Sequence, residues 1–146
     1  MDSALAPTAT LLRRLGSLVY ESLIVVALLL LSGLAFLLPL HALTGHDASG
    51  GWALWLFRAW ILAVLGTYFV WFWTRGGQTL PMRTWRLRVV DARGSPLRLR
   101  RALYRYLLAW PSVLAAGAGL AWALVDRDRQ FLHDRLAGTR LVRIEA

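Results

Sequence analysis

Glu21 stands where few acids are tolerated. It is the one charge in an apolar run from Leu15 to Leu40. In a helix it would lie about 9 Å into that run. A carboxylate at such a depth is expensive, so it is expected to face protein or water and to have a partner. Two chemistries fit. One is a titratable site for a proton or a cation, because desolvation disfavours a charged carboxylate. The other is an ion pair that only holds the fold. Arg14 lies seven residues back on the same helix face, and Arg101 or Arg105 could approach from a later helix. The ion pair is the preferred reading, because arginines crowd that side of the chain.

Asp134 and His133 form the second candidate. Asp134 could fix the loop before the last strand, or pair with Arg14 so that Arg14, Glu21 and Asp134 form one cluster; Arg13 is a secondary candidate. His133 titrates near neutral pH in ordinary surroundings, yet a histidine beside an aspartate is more often structural than catalytic. Arg58 lies six residues past Trp52, inside the second apolar run. It could line a pathway; the preferred reading is that it snorkels to the nearby interface. His41, His46 and Asp47 supply no fourth ligand and no defined geometry, so no metal site is assigned. Cysteine is absent, which excludes disulfides, thiol nucleophiles and cysteine-ligated metals. No nucleotide loop, nucleophile–base pair or pair of catalytic carboxylates is found, so neither an enzyme nor a cofactor is expected.

The elements that must position these residues are mostly apolar. The chain has 146 residues, is 58% hydrophobic and carries a net charge of +9. All 17 basic residues are arginine, which genomic base composition explains as well as mechanism does. Residues 1–12 read as a flexible N-terminus. Residues 15–40 would make a helix about 39 Å long, more than a ~30 Å hydrocarbon core requires. The run is too long for a cleaved signal peptide and reads as an uncleaved signal-anchor. Residues 41–51 read as a loop, and residues 53–73 as a second span with tryptophans at both ends.

The composition then changes. Arg75 to Arg105 holds nine arginines and one acid, Asp91. Alternation over residues 84–91 predicts a strand, and a second short strand is expected over 139–144. Ser95-Pro96 reads as the opening of an amphipathic helix over 96–110, lying in the headgroup layer. Its Arg98, Arg101 and Arg105 would meet anionic lipid headgroups, a better fit beside a span than nucleic acid. Pro111 is expected to break that helix. Residues 112–125 follow as a short apolar segment whose small residues, Ala115 to Gly119, favour close packing. That segment could dip in and return, or residues 103–125 could cross as a third span. The return is preferred, because it keeps five later arginines inside and lets the two strands pair. The fold class is therefore an all-α membrane protein with two transmembrane helices, an interfacial helix, a re-entrant or third helix, and a small cytoplasmic strand pair. Arginine placement puts both chain ends on the cytoplasmic side and the 41–51 loop outside.

Several local patterns, taken in order, resemble a family. Arg13-Arg14 enters the first run, with Glu21 seven residues on. Gly77-Gln78-Thr79-Leu80 leads into Arg86-Leu87-Arg88-Val89-Val90-Asp91, then Gly94-Ser95-Pro96-Leu97. Arg129-Gln130-Phe131-Leu132-His133-Asp134-Arg135-Leu136-Ala137-Gly138-Thr139 closes the set. The order resembles the RDD family of small membrane proteins, named for one arginine and two aspartates, over roughly residues 12–143. Two departures stand out. Glu21 replaces the family's first aspartate, and Thr79-Leu80-Pro81-Met82 replaces its usual Thr-Leu-Gly-Lys.

The resemblance implies a bacterial cytoplasmic (inner) membrane protein and suggests transport, with sodium/proton exchange claimed for some members. Two functions are carried forward. One is a cation/proton or small-solute transporter or channel subunit using Glu21. The other is a non-transporting accessory or scaffold subunit of a larger membrane complex. Two spans enclose little, so the first would need several copies of the chain or a partner membrane protein.

Overall fold

The computed structural model describes residues 9–114, 117–127 and 130–144. Two long helices form its spine, α1 (Leu11–Thr44) and α2 (Gly51–Arg75). Both are long and apolar enough to cross a membrane. Helix α1 runs past the expected 15–40 at both ends. It stops at Gly45, whose φ of 67° lets its N–H close onto the His41 carbonyl at 2.9 Å. Pro39 sits inside α1 without ending it, as membrane helices allow. The two helices are antiparallel: Phe36 meets Phe57 and Trp60, and the Trp60 indole donates to the Ser32 carbonyl at 3.0 Å.

After α2 come a short helix α3 (Leu80–Thr84) and strand β1 (Leu87–Asp91). The strand is shorter than the expected 84–91, because Pro81 in the first turn of α3 starts a helical turn that takes up Thr84. Trp85 then fills the space over Gly16 and stands edge-on to Tyr20. This tryptophan fastens α3 to α1.

Strand β2 (Thr139–Arg143) pairs antiparallel with β1, with Val89 opposite Leu141. An isolated two-stranded ribbon is marginal and offers two open edges. Both edges are covered here. On the β1 side, Val89 N–H donates to the Gly77 carbonyl at 2.7 Å, and the Gln78 amide donates to the Leu87 carbonyl. On the β2 side, Ala9 N–H and the Arg14 guanidinium both donate to the Leu141 carbonyl. The expected flexible stretch therefore needs correction at its end. Ala9 is buried and bonded, and the helix starts at Leu11; residues 1–8 lie outside the described residues.

The segment between the strands departs furthest from expectation. Ser95-Pro96 does not open a helix. The Asp91 carboxylate accepts the N–H groups of Arg93 and Ser95, and the Ser95 carbonyl accepts from Asp91 N–H. This closed turn holds Ser95, so helix α4 starts later and spans Leu99–Leu114. Pro111 lies within α4 rather than at its end. Nor does α4 simply lie apolar face down. Its inner face is spent on α2: Tyr106 Oη donates to the Leu62 carbonyl at 2.8 Å, and its ring fits the notch left by Gly66. Leu99, Leu103 and Leu107 form the outward row.

Gly117, with a φ of 74°, reverses the chain into helix α5 (Ala118–Val125). Gly119 then packs directly on Ser112 of α4, as the small-residue reading anticipated; Ala115 and Ala116 lie outside the described residues. A five-residue helix α6 (Leu132–Leu136) leads to β2. Helices α4 and α5 thus leave from β1 and return to β2 at one end of the α1–α2 pair. The chain therefore reverses direction within residues 103–125.

Candidate functional site

The charged residues meet at the sheet end, where α1, α2, α4 and α6 converge. Arg14, Glu21, Arg105 and Asp134 are all buried there. Arg14 is wholly inaccessible; its Nε donates to the Ala9 carbonyl at 3.0 Å and its Nη2 to Leu141 at 3.3 Å. Arg14 also contributes to the electrostatic environment of Asp134. The expected grouping of Arg14 with Asp134 is therefore seen as proximity. Arg13 points elsewhere, to the Trp85 carbonyl at 3.4 Å.

Glu21 is held by a hydroxyl rather than by an arginine. Thr79 Oγ1 donates to Glu21 Oε2 at 2.5 Å. Thr79 occupies the N-cap position of α3, yet its side chain makes no capping bond. The hydroxyl is turned to α1 instead. Tyr68 of α2 and Arg105 of α4 interact with the carboxylate electrostatically. Glu21 forms no salt bridge among the described residues. Its Oε1 and the Tyr68 hydroxyl make no hydrogen bond there either.

Arg105 corrects an expectation. It does not reach lipid headgroups; it is 3% exposed, with its guanidinium over the Trp73 ring at 4.2 Å. Its Nε donates to Asp134 Oδ1 at 3.0 Å, and its Nη2 makes an ion pair with the same oxygen. A guanidinium leaves water readily and matches a carboxylate, so it suits a buried pair. Of the other two residues assigned to headgroups, Arg101 pairs with Asp91 at 3.1 Å, whereas Arg98 is exposed.

Asp134 is fully buried. Burial alone would raise its carboxyl, but Arg105, His133 and Arg14 outweigh it and hold the group below the ordinary carboxylate range. His133 is pushed down to about 4, chiefly by burial, with Arg105 adding to the effect. A neutral imidazole fits its contacts. Nδ1 lies 3.3 Å from Ser112 Oγ, and Nε2 lies 3.5 Å from Asp134 Oδ1. Serine, histidine and aspartate therefore adjoin, but Asp134 is committed to Arg105 and Gly119 closes over Ser112. The contacts of this trio are those of a packed, buried network.

Arg58 is exposed on α2 and stacks on Trp55 at 5.0 Å, apart from the cluster. His41 and Asp47 pair at 3.0 Å on the surface at the opposite end. Sequence reasoning gave no role to Thr79 or Tyr68. Thr79 had a signal, since it falls in one of the motifs quoted; Tyr68 read only as part of an apolar span, and Trp73, read as one of the tryptophans at the span's end, is instead buried against Arg105.

Two apolar helices that could each span a bilayer, capped at one end by a buried cluster of paired charges, define a small helical membrane protein. The family comparison agrees: the chain matches the RDD family over residues 8–138 and belongs to it. Comparison with curated proteins and with solved structures gave no significant match.

Proposed function

We propose that this protein is the membrane subunit of a cation- or proton-coupled transport assembly, with Glu21 as its titratable group. One observation carries the reading. Glu21 is 7% exposed, yet its immediate neighbours are the neutral hydroxyls of Thr79, which donates to Oε2, and Tyr68, and no arginine forms a salt bridge with it among the described residues. Arg105 forms its ion pair with Asp134, so Glu21 can take up a proton or small cation without breaking a salt bridge of its own.

Arginine placement supports a cytoplasmic sheet end, with α4–α5 as a re-entrant hairpin in a bacterial inner membrane. Arg98 and Arg101 then stand at the headgroup level of anionic lipid. Two spans enclose little by themselves, so the conducting unit is a homo-oligomer or includes a partner membrane protein. The reading involves no covalent catalysis and no cofactor.

The test is flux in proteoliposomes holding the purified full chain. Cation or proton flux lost in Glu21→Gln supports the reading, and absence of flux for every cation tried overturns it. A specific observation favours the accessory-subunit alternative. The pocket lined by Leu37, Leu54 and Phe57 is apolar and lies at the far end from Glu21. A stable partner recovered in mild detergent, together with absent flux, would select that alternative.

A further inference from the structure

Arg105 has more donors than Asp134 uses. Its Nε and Nη2 both go to one oxygen, Asp134 Oδ1, while its Nη1 makes no hydrogen bond among the described residues. Asp134 Oδ2 and Glu21 Oε1 are likewise buried without a hydrogen bond. Trp73 covers one face of the guanidinium at 4.2 Å, which leaves turning within its own plane as the easy motion. One buried cation thus pairs with one buried acid and acts electrostatically on a second, each acid with an oxygen to spare. A fork of five N–H donors can serve both acids or favour either.

We propose that Arg105 is a shared positioning residue that couples the state of Glu21 on α1 to Asp134 on α6. The inference rests on the reading of Glu21 as a titratable site. A charged Glu21 draws Nη1 toward itself and loosens the hold on Asp134; a neutral or cation-bound Glu21 releases the fork to Asp134. The groups facing this exchange are few. Thr79 and Tyr68 face Glu21, while His133 and Arg14 face Asp134. Arg105 belongs to α4 and Asp134 to α6, so the exchange carries the state of α1 to the α4–α5 hairpin and the sheet.

The guanidinium itself reports the outcome. The full chain, with arginine labelled by nitrogen-15, is placed in lipid nanodiscs and followed by NMR; Arg105→Lys assigns the signals by their loss. In the wild type the Arg105 Nη signals are expected to move with pH. Glu21→Gln abolishes that movement, whereas Glu21→Asp, with the charge on a shorter arm, retains it. Retention in Glu21→Asp excludes general unfolding as the cause of the loss. Identical, pH-dependent Arg105 signals in the wild type and in Glu21→Gln overturn the proposal. Flux separates the two readings. Signals that obey Glu21 without any flux leave the coupling standing and remove transport. Flux that needs Glu21 while the Arg105 signals ignore it leaves transport standing and removes the coupling.

Discussion

Among single residues, the cluster is governed by the cost of burying charge. A buried ion pair contributes little net stability, yet removing one partner leaves the other uncompensated. Asp134→Asn is therefore expected to destabilise the protein by about 3–5 kcal/mol, seen as a fall in thermal midpoint in detergent. His133 makes a second, pH-dependent contribution. Its folded value of about 4 lies below the ordinary 6.5, so the unfolded chain binds more protons between those two values. Stability from this residue is fully present above about pH 6.5 and is lost as pH falls toward 4. The shift corresponds to about 3 kcal/mol, and His133→Gln should flatten the stability profile across that window. The depressed carboxyl of Asp134 acts in the same direction, further into acid. Glu21 could be singled out from the sequence because a charge inside an apolar run is conspicuous, and Arg14 and Asp134 because they fall in the motifs that resemble the RDD family. Their partners could not. Arg105 could be named only as one of several arginines able to approach Glu21, and not as the partner of Asp134, since a helical pattern fixes which residues share a face but not what that face meets.

At the level of elements, the two spans and both strands were legible, because length, hydropathy and alternation are local properties. The α4–α5 hairpin was legible only in part. Pro111 suggested a break, but α4 continues to Leu114, held from outside by Tyr106 in the Gly66 notch. The true reversal falls at Gly117, where a left-handed backbone requires glycine. Gly119 packs against Ser112 so closely that an added side chain must push the helices apart. Gly119→Val is accordingly expected to cost about 1–3 kcal/mol, measurable as a lower thermal midpoint. Gly45→Ala, at an open αL position with nothing near its absent side chain, should cost only about 1–2 kcal/mol, from backbone strain alone.

Across the whole molecule, topology follows from where the strands meet. Since β1 and β2 pair and Ala9 joins β2, both described ends of the chain gather at one end of the helical pair. The absence of cysteine makes this easy to check. With single cysteines in intact cells, a membrane-impermeant thiol reagent is expected to label Ser49→Cys directly. Ser95→Cys and Arg143→Cys should react only after permeabilisation. Direct labelling of Arg143→Cys would contradict the shared side.

The bond from Arg14 to Leu141 has a consequence for how the protein is made. The two residues are 127 positions apart, so this bond closes only once β2 has been made, whereas the bond of the same guanidinium to the Ala9 carbonyl is local. Only when β2 zips onto β1 does the pocket that buries Arg14 close. Closure of the cluster thus waits on β2, and a chain cut before Thr139 would hold the two long helices without the closed cluster.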